Sequence, residues 1–88
     1  MSYRFVLSRQ AKRKLAKLPK DIARPVAAKI RWLAQNAEVI RHERLKNCEE
    51  YSLHGGQYRI PYSLDHEKRL VIIEDIDQHD AAYRRLMR

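Results

Sequence analysis

Residues 53–64 read LHGGQYRIPYSL. Two glycines sit between two short runs in which apolar and polar side chains alternate, the period of a half-buried β-strand. With Gly55-Gly56 as a two-residue loop, His54 lies opposite Gln57, Leu53 opposite Tyr58, Ser52 opposite Arg59 and Tyr51 opposite Ile60. Opposed residues share a face. Tyr51, Leu53, Tyr58, Ile60, Tyr62 and Leu64 then face one way, while Ser52, His54, Gln57 and Arg59 face the other. A one-residue slip would invert this sorting, so the register of the hairpin is expected to be well specified.

The same register runs through a polar turn at Asp65 to Lys68 into a third strand, Arg69 to Ile76. It puts Val71 and Ile73 with the tyrosines and leucines. It puts Leu70, Ile72, Glu74 and Ile76 on the face of Arg59, with Glu74 directly across from Arg59. A strand apolar on both faces belongs in the middle of a sheet. Its second face would be covered in part by the C-terminal segment, where Asp80 to Arg88 reads as a short helix. That cover would bring His79 and Tyr83 to the polar patch of the hairpin.

Upstream, Tyr3 to Leu7 (YRFVL) is rich in strand formers. Ser8 ends it and is a good N-cap for a helix to about Leu18, with Ala11, Leu15 and Leu18 on one stripe and Arg9, Lys12, Arg13, Lys14 and Lys17 largely outside it. Pro19 breaks that helix, and Asp21 is placed to cap a second one with the stripe Ile22, Val26, Ile30, Leu33 and Ala37. Pro25 is tolerated if the second helix begins near Asp21, since the missing amide then falls at the edge of the first turn. Trp32 is read as a core-edge residue. The charged stretch EVIRHERLKNCEE, residues 38–50, has no clear period and reads as a loop with a short extended piece at Arg44 to Lys46. The expected fold is a single α+β domain over residues 1–88: an N-terminal strand, a helical hairpin packed on one face of a mainly antiparallel four-stranded sheet, and a short C-terminal helix.

Composition narrows the function classes. A chain of 88 residues suits one core, and 44% hydrophobic with 34% charged residues describes a folded, well-solvated domain. Nineteen Lys and Arg against eleven Asp and Glu give a formal charge of +8, a field that attracts nucleic acid or an acidic protein. A lone cysteine, Cys48, excludes an intramolecular disulfide and a cysteine-based zinc site and fits a reducing cytoplasm. No apolar run has the length of a membrane span, and no uninterrupted apolar segment of a signal peptide opens the chain. His42, His54, His66 and His79 lack metal-ligand spacing, and there is no phosphate-binding glycine loop, so neither metal nor cofactor is expected.

What remains as chemistry is the patch of His54, Arg59, His79 and Tyr83. An imidazole can take a proton from an RNA 2′-hydroxyl or give one to the leaving 5′-oxygen. A guanidinium can stabilise charge on the phosphate, and a phenol can stack on a base or donate a proton. Taken singly, each residue has an ordinary structural reading: a solvated His, a cross-strand ion pair, a packed Tyr.

Several segments together resemble the RelE/ParE superfamily of toxins from toxin–antitoxin pairs. They are YRFVLSRQAKRKLAKLPKDI (Tyr3 to Ile22), RLKN (Arg44 to Asn47), GGQYRIPYSLD (Gly55 to Asp65), RLVIIEDI (Arg69 to Ile76) and HDAAYRRL (His79 to Leu86). The Gly-x-Tyr-Arg of Gly56 to Arg59, followed by an apolar strand and a terminal Tyr-Arg, is the most specific part. The resemblance implies a toxin that is neutralised by a cognate acidic antitoxin. RelE-type members cut messenger RNA in the ribosomal A site without a metal, by attack of the 2′-hydroxyl. ParE-type members inhibit DNA gyrase on a similar scaffold.

The family's hairpin arginine falls on Arg59 and its C-terminal tyrosine on Tyr83. Where RelE-type enzymes often carry Lys or Arg, this chain has Ser52 and His54, and Gln78, His79 and Asp80. Some RelE-like ribonucleases use histidines as acid and base, so the resemblance implies that role for His54 and His79. Arg9, Lys12, Arg13, Lys14, Lys17, Arg44 and Lys46 would hold ribosomal RNA by phosphate contacts. The retained Arg59 and Tyr83 favour the nuclease over a gyrase-directed toxin; a non-toxic remnant is the third alternative.

Overall fold

In the computed structural model, which describes residues 3–40, 42–44, 51–55 and 58–78, the chain begins with strand β1 (Arg4–Leu7). Helices α1 (Arg9–Lys17) and α2 (Lys20–Asn36) follow. Then come β2 (Glu43–Arg44), β3 (Tyr51–Gly55), β4 (Tyr58–Asp65), β5 (Leu70–Ile73) and β6 (Asp77–Gln78). The sheet order is β1-β5-β4-β3-β2, with β6 pairing β4 beyond the end of β5. The α+β architecture expected from the sequence is therefore present, and β5, apolar on both faces, is interior to the sheet. The sheet is mixed, because β1 runs parallel to β5 with Phe5 beside Val71 and Leu7 beside Ile73. The short helix expected at 80–88 lies outside the described residues.

One face of the sheet and one stripe of α2 make the core. Val26, Ile30, Leu33, Ala34 and Ala37 bury against Leu53, Ile60, Tyr62, Val71 and Ile73, while Ala11 comes from α1 with Leu15 and Leu18 partly buried around it. These are the stripes and strand faces that the sequence periodicity marks. Ile76 belongs to this core as well, at 3% exposure. The sequence reading set it on the opposite face, on the assumption that the strand continued to residue 76. β5 instead ends at Ile73, and residues 74–76 are irregular, which breaks the alternation and turns Ile76 inward.

α2 begins at Lys20, one residue before the proposed Asp21 cap. Pro19 occupies the capping position without a side-chain hydrogen bond, and its carbonyl accepts from the amides of Ile22 and Ala23. Asp21 sits in the first turn, where a carboxylate favours the helix dipole without serving as the cap. Pro25 falls a turn further in and leaves the carbonyl four residues before it without that helical bond. At the other end of α2, His42 fastens the helix to the sheet. Its Nε2 lies 2.8 Å from the Ala37 carbonyl, and its Nδ1 meets the Tyr62 hydroxyl. A carbonyl only accepts, so Nε2 carries the proton and, in the neutral ring, Nδ1 accepts from the buried tyrosine. Tyr51 joins this group with its ring centroid 5.2 Å from His42 and 5.6 Å from Tyr62.

α1 is held at both ends of its contact with the sheet. Ser8 is the N-cap: its Oγ accepts from the Ala11 amide at 3.0 Å and donates to the Glu74 carbonyl at 2.7 Å. Its own amide donates to the Ile73 carbonyl, so one small residue joins the end of β1, the start of α1 and the end of β5. Further along the helix, the Lys14 ammonium reaches both Asp75 Oδ1 at 2.8 Å and Asp77 Oδ1 at 3.0 Å. Hydrogen bonding to Asp75 holds the Lys14 ammonium above its ordinary value, with further help from Asp77, against a smaller opposing effect of desolvation. For Asp75, burial pushes upward. Hydrogen bonds from Lys14, the Ile76 amide and Gln10, with the Lys14 charge, outweigh it and leave the carboxyl below its ordinary 3.8.

Two tests follow from these attachments. Ser8→Ala removes the cap and the bond to Glu74 and should destabilise the fold by about 1–2 kcal/mol in urea unfolding. Lys14→Met should cost about 1 kcal/mol or less at neutral pH, because the pair is partly exposed. Since the folded-state carboxyl of Asp75 is depressed, its contribution is present above the unfolded value and is lost as pH falls through the folded one. The stability gap between the parent chain and Lys14→Met should therefore close at acidic pH below about 4, and a gap that widened there would contradict the assignment.

Candidate nucleic-acid interface

The hairpin pairs Tyr51 with Tyr62, Ser52 with Pro61, Leu53 with Ile60, His54 with Arg59 and Gly55 with Tyr58. The loop is thus displaced by one position from the Gly55-Gly56 turn read in the sequence, and each residue's partner moves by two. A shift of two conserves the faces, so Leu53, Ile60 and Tyr62 still enter the core while Ser52, His54 and Arg59 share the opposite face. What changes is the neighbour: His54, not Ser52, stands directly across from Arg59. An exposed imidazole and a half-buried guanidinium are thereby set side by side.

The partner of Arg59 on its other side also differs from expectation. β4 and β5 pair Tyr62 with Ile73 and Ser63 with Ile72, and the Glu74 amide donates to the Pro61 carbonyl. Glu74 is therefore two positions away from Arg59, and its Oε1 accepts from the Ser63 hydroxyl at 2.8 Å. β6 then returns to β4 and places Asp77 across from Arg59. The sequence signal for Asp77 was there, in the run of acids Glu74, Asp75 and Asp77, but its position depends on the irregular residues between β5 and β6. Asp77 is the carboxylate that Lys14 holds, so a cation from α1 offsets the acid beside Arg59. Arg59 Nε is buried and has no hydrogen-bond partner among the described residues.

Arg9, Lys12, Arg13 and Lys17 are exposed on α1, as their places off the apolar stripe predict. Lys14 is half-buried and already engaged with two carboxylates, which separates it from the other cations of that helix. Arg44 contributes its backbone to β2, opposite Tyr51. Lys46, His79 and Tyr83 lie outside the described residues. His66 sits in the turn after β4 and accepts or donates to the Tyr3 hydroxyl at 2.9 Å. Among the described residues no group of His, Cys, Asp and Glu is arranged to hold a metal ion, and no helix is long and apolar enough to cross a membrane.

Trp32, read from the sequence as a core-edge residue, stands at the surface. It is 41% exposed, with the Lys29 ammonium 4.3 Å from its ring centroid, and both line a cavity with Ser52 and His54. The available signal was its position off the Ile22, Val26, Ile30, Leu33 and Ala37 stripe, three residues after a lysine.

No family model and no curated protein matches the chain. Solved structures do. A structure of a RelBE toxin–antitoxin complex from Mycobacterium tuberculosis superposes with a TM-score of 0.76 at 26% identity, covering 89% of this chain and 92% of that one. An archaeal RelE–RelB complex from Pyrococcus horikoshii gives 0.71 at 24% identity, over 90% and 97% of the two chains. The isolated E. coli RelE toxin gives 0.73 at 15% identity, over 97% and 99%. Across nearly its whole length the chain resembles these proteins, and its fold is that of the RelE toxins.

Proposed function

We propose that the protein is the toxin of a toxin–antitoxin pair and acts in the cytoplasm as a ribosome-dependent endonuclease of messenger RNA, thereby stopping translation. The observation that carries this reading is the cross-strand pair of His54 and Arg59 on the sheet face opposite the helices. In the proposed reaction a 2′-hydroxyl attacks the adjacent phosphorus, the P–O5′ bond breaks, and a 2′,3′-cyclic phosphate and a 5′-hydroxyl end form. His54 takes the proton from the nucleophile or supplies one to the leaving oxygen, with His79 or Tyr83 as the complementary group. Arg59 offsets the charge that builds on the phosphate, and a fixed guanidinium at that position needs no metal to do so. Tyr83 stacks on substrate in the same arrangement.

The exposed cations of α1, Arg9, Lys12, Arg13 and Lys17, serve the ribosome, with Arg44 and Lys46 as further phosphate contacts. These contacts carry no sequence information and make binding salt-sensitive. The antitoxin is proposed to be acidic overall, matching the charge of +8. The solved complexes of RelE with RelB support a protein partner of this kind.

The reading is tested with purified protein and mRNA on programmed ribosomes. Cleavage is expected, with Arg59→Ala reducing the rate about 10²–10³-fold and His54→Ala about 10²–10⁴-fold. An uncut message, together with unaltered growth arrest by Arg59→Ala in cells lacking the antitoxin, would rule the nuclease out. Replication stopping before translation in those cells would point to the gyrase-directed alternative.

A further inference from the structure

The cavity that His54 borders from the polar face is walled on its far side by α2. It is an open groove of about 250 Å³, with Lys29, Trp32 and Ile40 contributed by the helix side and Ser52, Leu53 and His54 by β3. β2 pairs only with Tyr51 and Ser52. From Leu53 onward the outer edge of β3 has no strand beside it among the described residues, and His54, which stands across from Arg59, is part of the cavity lining.

Three observations in this groove point to one kind of ligand. Trp32 keeps 41% of its surface exposed, whereas the stripe residues around it on α2 are buried. Lys29 Nζ stands over one face of the indole at 4.3 Å, a cation–π contact that leaves the opposite face for a stacking partner. Ser52 Oγ is buried and has no hydrogen-bond partner among the described residues to offset its desolvation. An aromatic platform, a cation and a spare hydrogen-bonding atom are what an unstacked nucleobase with its phosphate requires. A helix or strand of a protein partner would call for a longer apolar strip than this short, mixed lining.

We propose that this groove binds a nucleobase of single-stranded RNA: the base stacks on Trp32, Lys29 meets the flanking phosphate, and Ser52 Oγ pairs with the edge of the base. The proposal rests on the nuclease reading of the neighbouring face and adds to it the seat of a nucleotide next to the scissile phosphate at His54 and Arg59.

Trp32 is the chain's sole tryptophan, so its fluorescence reports this groove alone. The full chain is titrated with a short single-stranded RNA carrying 2′-O-methyl groups, which cannot be cleaved by 2′-hydroxyl attack. Saturable quenching of the indole is expected, and an abasic substitution at the stacked position should remove it. Binding of the same RNA carrying a fluorescein label, followed by anisotropy, should weaken about tenfold or more in Trp32→Ala. Lys29→Ala should lower the slope of log affinity against log salt by about 0.7.

Neither readout needs a ribosome or a cleavage event. Quenching without cleavage on programmed ribosomes would remove the nuclease reading and leave the base site standing. Cleavage with no quenching, and with Trp32→Ala binding as tightly as the parent, would overturn the base site and leave the nuclease. Quenching by an acidic peptide and not by RNA would assign the groove to a protein partner and overturn the proposal as well.

Discussion

The ladder that pairs Leu53 with Ile60 and His54 with Arg59 is the constraint from which the polar face takes its form. Alternation fixes which side chains enter the core, and the cost of exposing Leu53, Ile60 and Tyr62 together is several times the cost of one misplaced residue. That cost forbids a slip of one. It is indifferent to a slip of two, which keeps every side chain on its own face and only exchanges neighbours across the ladder. The placing of His54 across from Arg59 is therefore set by the position of the loop, and the hydrophobic pattern alone does not specify it.

Around that pair the chain places charge of both signs. Asp77 stands across from Arg59, where an uncompensated carboxylate would oppose a phosphate. Lys14 answers it from α1 and is thereby subtracted from the basic surface that the helix otherwise presents. The same lysine reaches Asp75, and Ser8 reaches Glu74, so α1 is tied to the segment that carries Asp77 at two points. Displacement of α1 would alter the electrostatics at Arg59 as well as the packing of Ala11.

Local features of this fold were legible in the sequence. The Ser8 cap, the stripe on α2 from Val26 to Ala37 and the two faces of the hairpin follow from spacings of three to four or of two, which a short stretch contains in full. Features that depend on two distant stretches were not legible. Nothing in YRFVL announces a parallel neighbour, so the pairing of β1 with β5 left no local trace. The departure from strand geometry at residues 74–76 was hidden by an apolar-acidic run that alternates well enough to pass for strand, and it misplaced Ile76, whereas Glu74 was misplaced by a two-residue shift in the register of β4 against β5. Of the four residues proposed for catalysis, His54 and Arg59 were put on the right face with the wrong partners, while His79 and Tyr83 lie outside the described residues.

The parallel pairing of β1 with β5 also governs how the molecule comes to be folded. Arg4 to Leu7 obtain their sheet partner only from Leu70 to Ile73. Most of the chain must therefore be synthesised before the first strand finds its place, and the loop-closure entropy is spent before the contact rewards it. The helical hairpin can form early from local contacts, but the interior position of β5 stays empty until late. Since the segment bearing Asp77 follows β5 directly, the polar face is among the last parts to assemble. The N-terminal strand and the polar face around Arg59 thus share one dependence, on the strand that is made near the end of the chain.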